Sequence, residues 1–377
     1  MIVLGVMSGT SADGVDLALV EFDGRATELP EPGHLRAFHS EPYPPQLRHR
    51  VLAAANAVSL PEAQSRSRPL EGALDRFWAD AALDFVNREK CVVDLVCSHG
   101  QTLYHAPAEG VSYQWDHPEL WRHDLSCPVV TDLRMADVRS GGQGAPLAPL
   151  LHAALYRSRS GTAAVANVGG MANVTLIPPT APVHDWSSWS SGIRGWDTGP
   201  GNALIDVCVQ QRTQGSSLYD AGGQIAMRGR ADGERVRRWM AQEPWFALPP
   251  PKSTGRDRFG TALFQRIEQD CIDLDLSDAV ATVAELTVQS LAQGLRAAAG
   301  TGQLDALHVC GGGAHNLYLR TRWSQELGCP VLPVAHADAI EAWLMALIGY
   351  RTWHGLPSAI TSVTGAGSAA VLGTITT

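Results

Sequence analysis

The chain has 377 residues, 45% hydrophobic and 18% charged, so it carries enough apolar material for a sizeable core and is not globally disordered. A formal net charge of −9 argues against a nucleic-acid protein, whose footprint would be a basic stripe. This length predicts two domains of roughly 150–200 residues each.

The first element is a short apolar run, Ile2 to Val6, that meets Ser8-Gly9-Thr10-Ser11 and returns as Val15 to Val20, the pattern of a β-hairpin. One reading of the turn is a plain Gly/Ser-rich link between edge strands. The other is a nest whose backbone N–H groups converge on an anion such as phosphate. In that case Ser8, Thr10 and Ser11 add hydroxyls, and Asp13 and Asp16 hold water around a metal ion. Residues 29–45 read as a surface loop and strand, and 46–89 as helices with Leu70, Leu74, Phe77, Trp78 and Ala81 on one apolar face. A buried strand over 92–97 ends directly in Ser98-His99-Gly100-Gln101-Thr102, and a second, over 128–130, ends in Thr131-Asp132-Leu133-Arg134. Open α/β sheets place ligand contacts at such carboxyl ends.

Further along, SGGQGAPLAP (140–149) has the composition of a domain connection and a helix follows over 150–156. AAVANVGGMANVTLI (163–177) repeats the design of the opening hairpin, and 178–192 reads as a surface excursion. A long alanine-rich helix over 276–300, striped by Leu286, Leu291 and Leu295, ends at glycine. ALHVCGGG (306–313) is a third strand running into glycines, with a helix from Asn316. Three strand-to-glycine junctions, two of them hairpins, predict an internally duplicated α/β protein. Seven scattered cysteines without a CxxC pair read as free, buried thiols of a reducing compartment. With no signal peptide and no apolar window near the ~20 residues of a membrane span, the expectation is a soluble cytoplasmic protein that binds neither membrane nor nucleic acid.

The sharpest chemical feature is GWDTGPGN (195–202), a glycine-rich loop shaped around a single acid, Asp197. A carboxylate there acts either as a general base or as a cap on a turn or on a helix starting near Asn202. PPPKSTGR (249–256) gathers Lys252, Ser253, Thr254 and Arg256, either to touch an anionic group or as a solvated turn. His99 and His105 lack a third ligand for zinc, and Glu341 opens an apolar helix where the helix dipole favours an acid anyway. GxxxxGK[ST], GxGxxG and the protein-kinase signatures are absent. Any ATP would therefore be held by glycine-rich hairpins.

Nine segments, in order and spanning nearly the whole chain, resemble the anhydro-N-acetylmuramic acid kinase family: GVMSGTSADGVD (5–16), SHGQTLYH (98–105), DLRMADVRSGGQGAPLAP (132–149), NVGGMAN (167–173), GWDTGPGN (195–202), PPKSTGR (250–256), CGGGAHN (310–316), EAW (341–343) and TGA (364–366). Leu133 stands where phenylalanine is usual, and Arg139-Ser140 where small residues are. The resemblance implies two duplicated ribonuclease-H-like (actin-like ATPase) domains with a nucleotide cleft between them, divided as 1–133 plus 362–377 and 134–361. It implies an ATP- and Mg²⁺-dependent kinase that converts 1,6-anhydro-N-acetylmuramic acid, ATP and water into N-acetylmuramic acid 6-phosphate and ADP in peptidoglycan recycling.

By the same resemblance Asp197 is the catalytic base. Ser8, Gly9, Thr10, Ser11, Asp13, Gly14, Asp16, Gly169, Gly170, Gly311, Gly312 and Gly313 surround the nucleotide, with Asp13 and Asp16 beside the Mg²⁺. His99, Gln101, His105, Gly144, Ala145, Pro146 and Glu341 hold the sugar. A homodimer is left open. The alternatives are an ordinary hexose or amino-sugar kinase of the same fold, in which Asp197 deprotonates a hydroxyl, and a non-catalytic nucleotide-dependent binding protein.

Overall fold

Short β-branched runs separated by glycine turns become the strands of two mixed sheets. A computed structural model describes all residues except 24–26, 71, 159, 180–184, 256 and 301. It divides into two units: Met1–Leu155 with Val183–Ser191 and Asp338–Thr377, and Tyr156–Pro182 with Gly192–Ala337.

In the first unit, β1 (Ile2–Ser8), β2 (Gly14–Glu21) and β3 (His34–Pro42) form an antiparallel meander. β4 (Leu95–Ala106) lies parallel to β1, and the far half of β4 pairs with β5 (Val111–Trp115). β6 (Val129–Thr131) lies parallel to β4, and a C-terminal strand, Thr374–Thr376, closes that edge. The helix Ala73–Glu89 lays Leu74, Trp78, Ala82 and Phe85 onto this sheet, each at most 1% exposed, with Leu74 and Phe85 each contributing on the order of 1.5–3 kcal/mol of apolar burial.

In the second unit β7 (Thr162–Val168), β8 (Met171–Ile177) and β9 (Arg194–Pro200) form the same meander. β10 (Leu304–Cys310) lies parallel to β7, and β11 (Val331–Pro333) lies parallel to β10. The second sheet runs β9-β8-β7-β10-β11 and the first β3-β2-β1-β4-β6, with β5 hung off β4 as a hairpin, so the two share the ribonuclease-H-like topology. The helix Leu276–Ala299 is buried along most of its length, starts at Asp275, whose carboxylate accepts Asp278 N–H, and ends at Gly300.

Several expectations need correction. Residues 134–155 and 338–361, assigned from sequence to the second domain, pack with the first unit. The helix Ile340–Trp353 lies directly on β1, and this is possible because position 5 is glycine: a Cβ there would collide with the carbonyl oxygen of Ala342. The strand expected to stop at Cys97 runs on through SHGQTLYHA, since β5 supplies its polar half with a hydrogen-bonded partner. GWDTGPGN is mostly strand, not loop, its first six residues lying in β9. In the excursion, residues 180–184 lie outside the described ones. The helix Trp186–Ser190 that follows is no bare surface loop, because Trp186 and Trp189 are buried and stacked on each other.

None of the seven cysteines forms a disulfide, and all but Cys91 are buried. No helix among the described residues is long and apolar enough to cross a membrane.

Candidate active site

The turn between β1 and β2 is braced from below. Trp78 Nε1 donates to Tyr43 Oη at 2.8 Å, Tyr43 Oη lies 2.8 Å from Ser8 Oγ, and Ser8 Oγ donates to Gln101 Oε1 at 2.7 Å. Gln101 Nε2 then donates to Gly9 O at 3.2 Å. Ser8 and Gln101 are buried members of this framework, so their side chains hold the turn rather than line an open surface. Above them the N–H groups of Thr10 and Ser11 have no backbone acceptor among the described residues. Ala12 N–H closes the turn onto Gly9 O at 3.1 Å, and Gly14 O lies within reach of Ser8 Oγ.

The turn is one wall of a cavity of about 290 Å³ lined by residues 7–11, His99, Thr102, Arg134 and Glu341. Residues expected around phosphate and residues expected around sugar therefore share one space. Arg134, at the carboxyl end of β6, was not singled out from sequence although its polar strand-end position signals it. Its Nε donates to His99 Nε2 at 2.8 Å and its Nη1 to Gly144 O at 2.6 Å. Burial and the neighbouring guanidinium hold His99 neutral, with a pKa lowered to about 3. Glu341 is open to the cavity, but its concave surroundings and Asp16 raise its pKa while Arg134 opposes the rise.

Asp137, fully buried, organises the segment after Arg134: its Oδ2 accepts Gly144 N–H and its Oδ1 accepts Thr364 Oγ1–H, both at 2.7 Å. Gly144 is thereby fixed against Arg134. Ala145, Pro146 and His105 do not line the cavity, and His105 Nδ1 lies 2.8 Å from Ser112 Oγ.

Asp13 is exposed and paired with Arg48 at 2.8 Å. Asp16 is half-buried; burial raises its pKa, the Ser40 hydrogen bond opposes this, and Asp338 and Asp13 push it further up. The described residues contain no cluster of three or more metal-ligating side chains. A magnesium ion bound by one or two carboxylates, waters and substrate phosphates needs none. It would also relieve the repulsion that Asp16 feels, so the donor set fits.

In the second unit Asp197 lies on β9, opposite Asn173 on β8. Thr254 N–H donates to Asp197 Oδ2 at 2.8 Å, while Asp197 N–H donates to Lys252 O at 3.0 Å. The carboxylate therefore caps no helix: the helix Ala203–Arg212 starts without it. Its pKa is raised by burial, against the Thr254 hydrogen bond, and no cation lies within ion-pair distance among the described residues. Lys252 instead donates to Trp245 O and Phe246 O and sits over the Trp245 ring. Arg256 lies outside the described residues.

The glycine junctions of this unit meet one another. Asn202 Nδ2 donates to Val168 O and Gly169 O, and the N–H groups of Gly201 and Ala203 donate to Gly170 O. Gly311 has φ +72°, and a Cβ on it would come within 2.6 Å of Asn167 Oδ1. Gly312 packs against Asn202 and Gly313 against Val168.

The family model for anhydro-N-acetylmuramic acid kinase matches residues 1–377. The chain is similar to the anhydro-N-acetylmuramic acid kinase of Synechococcus elongatus, at 38% identity over 100% of this chain and 99% of that protein. Its similarity to the enzyme of the same name from Microcystis aeruginosa is 37% over the full length of both. Among solved structures it is similar to a ROK family glucokinase from Streptomyces griseus in complex with glucose and AMPPNP, at 13% identity and a TM-score of 0.40, covering 93% of this chain and 100% of that one.

Proposed function

The chain belongs to the anhydro-N-acetylmuramic acid kinase family, and on that premise we propose how its residues carry out the reaction of peptidoglycan recycling: 1,6-anhydro-N-acetylmuramic acid, ATP and water giving N-acetylmuramic acid 6-phosphate and ADP. Family membership over the full length favours this over an ordinary hexose kinase or a non-catalytic binding protein.

The observation that carries the mechanism is Asp197: a half-buried carboxylate, anchored at one oxygen by Thr254 N–H, raised in pKa and free of a cationic partner among the described residues. Such a group is a competent general base. It takes a proton from water as the water oxygen bonds to the anomeric carbon. The bond from that carbon to the 6-oxygen breaks, and the 6-oxygen bonds to the γ-phosphorus as ADP leaves. Hydrolysis of a glycosidic link ordinarily needs a second carboxyl to protonate the leaving oxygen. Here the phosphoryl group takes that place, so one base suffices.

The N–H groups of Thr10 and Ser11, without a backbone acceptor among the described residues, suit phosphate oxygens. Gly169, Gly170 and Gly311 to Gly313 are the corresponding turns of the second unit, there for the nucleotide. Asp13 and Asp16 would hold Mg²⁺, which would supply charge neutralisation on the phosphates. Glu341 and His99 face the sugar. The cytoplasm, where ATP is available, is the compartment this reaction requires.

The test is ATP consumption with the anhydro-sugar, with N-acetylmuramic acid and with N-acetylglucosamine, together with turnover in ¹⁸O-water. The expected result is turnover of the anhydro-sugar and one label at the anomeric oxygen of the product. Label in the phosphate, or turnover of the ordinary sugars alone, would refute it.

A further inference from the structure

Building on that reading, we propose that Arg134 binds the carboxylate of the substrate's lactyl ether and is the residue by which the enzyme tells the sugar acid from its neutral counterpart. The cavity at the β1–β2 turn holds one guanidinium, Arg134, and one acid, Glu341. A desolvated arginine ordinarily sits against a carboxylate. Arg134 does not: no carboxylate of the described residues lies within ion-pair distance, and its two protein hydrogen bonds go to neutral acceptors, His99 Nε2 and Gly144 O.

Those two bonds commit Nε and Nη1 and fix the plane of the group, while Nη2 makes no hydrogen bond to the described residues. The acceptors are themselves rigid. His99 is 2% exposed, and Gly144 is pinned by Asp137. The outcome is a pre-oriented positive charge in a concave wall, in ion pair with no carboxylate of the described residues although Glu341 shares the cavity and acts on it at longer range, the arrangement that matches a planar anion.

The N–H groups of Thr10 and Ser11 already suit the phosphates, whereas Arg134 extends from β6 and is held by β4 and the 142–144 segment. Muramic acid differs from glucosamine by one lactyl carboxylate. A neutral analogue would leave the desolvated guanidinium unpaired, and that penalty is the strongest discrimination such a pocket offers.

The test compares 1,6-anhydro-N-acetylmuramic acid, its methyl ester and 1,6-anhydro-N-acetylglucosamine. Steady-state kinetics at saturating ATP are joined by calorimetric binding without ATP, on the wild type and on Arg134→Gln and Arg134→Lys. The wild type should prefer the free acid over both neutral sugars about tenfold to hundredfold in KM and Kd. Arg134→Gln should lose that preference by weakening only the acid, and Arg134→Lys should restore part of it. Equal losses for all three sugars, or a change confined to KM for ATP, would place Arg134 on the phosphoryl group or in the scaffold and overturn the assignment. The methyl ester reads the wild type alone, so an indifferent wild type overturns it even if both variants misfold. Binding of the acid without phosphorylation would sink the reaction and leave the Arg134 assignment standing.

Discussion

Arg134 Nε donates to His99 Nε2 over 2.8 Å, so that nitrogen is an acceptor and the imidazole proton resides on Nδ1, 2.9 Å from Gly100 O. Protonating Nε2 would break the contact and place two cations side by side. The folded protein therefore keeps His99 neutral down to about pH 3, whereas the unfolded chain takes up the proton near 6.5. Between these values the unfolded state binds more protons, so this residue makes stability fall as pH is lowered from about 6.5 toward 3, by at most about 1.4 kcal/mol per pH unit. His99→Gln keeps an acceptor but does not titrate. Urea midpoints for this variant should change less steeply with pH in that window than those of the wild type; parallel profiles would contradict the assignment.

Asp197→Asn retains the shape of the side chain and its acceptor for Thr254 N–H but removes the base. A fall in kcat of about 10²–10⁴ is expected, with the Kd for ATP within about twofold of the wild type by calorimetry. Since burial raises the Asp197 pKa, the acid limb of kcat/KM should lie above the ordinary carboxylate value near 4. A limb at or below that value would remove Asp197 from the role.

The two hairpins were legible because an apolar run, a small-residue turn and a second apolar run leave little freedom over twenty residues. What sequence misread depended on distant partners. The polar half of β4 is strand only because β5 pairs with it. Asp197 lies in a strand because β8 runs alongside a segment whose glycines and prolines suggest a loop. Residues 338–361 join the first unit because Ile340–Trp353 finds its flat, glycine-bearing seat on β1. Arg134 was named only within a polar strand end and given no role of its own, because its two partners lie 35 and 10 residues away and neither carries a charge that would mark it.

The chain of hydrogen bonds from Trp78 through Tyr43 and Ser8 to Gln101 supports the β1–β2 turn. Tyr43→Phe deletes its central hydroxyl and leaves the buried Trp78 N–H without its acceptor. The expected cost is about 1–3 kcal/mol in chemical denaturation. KM for ATP should rise while kcat stays within a few-fold, because the turn loses its brace and the base is untouched. Loss of stability with an unchanged KM for ATP would detach the turn from nucleotide binding.

Gly311 and Gly328 both have positive φ, +72° and +65°, but Gly328 is in the left-handed helical region at ψ 24° whereas Gly311 has ψ −175°, a conformation essentially confined to glycine. A Cβ on Gly328 meets nothing within 4 Å, so Gly328→Ala incurs only the backbone strain, about 1–2 kcal/mol. On Gly311 the same atom would lie 2.6 Å from Asn167 Oδ1 and 2.9 Å from Val168 O, forcing the turn after β10 away from the end of β7. Gly311→Ala should therefore cost more stability than Gly328→Ala, and it alone should weaken ATP binding, by about tenfold or more if the turn moves enough to lose one hydrogen bond to a charged group. Calorimetry with the non-hydrolysable ATP analogue, alongside urea titrations of both variants, separates the two effects. Equal destabilisation would show that the crowding is absorbed without moving the turn. Unchanged affinity in Gly311→Ala would take this glycine out of the nucleotide site.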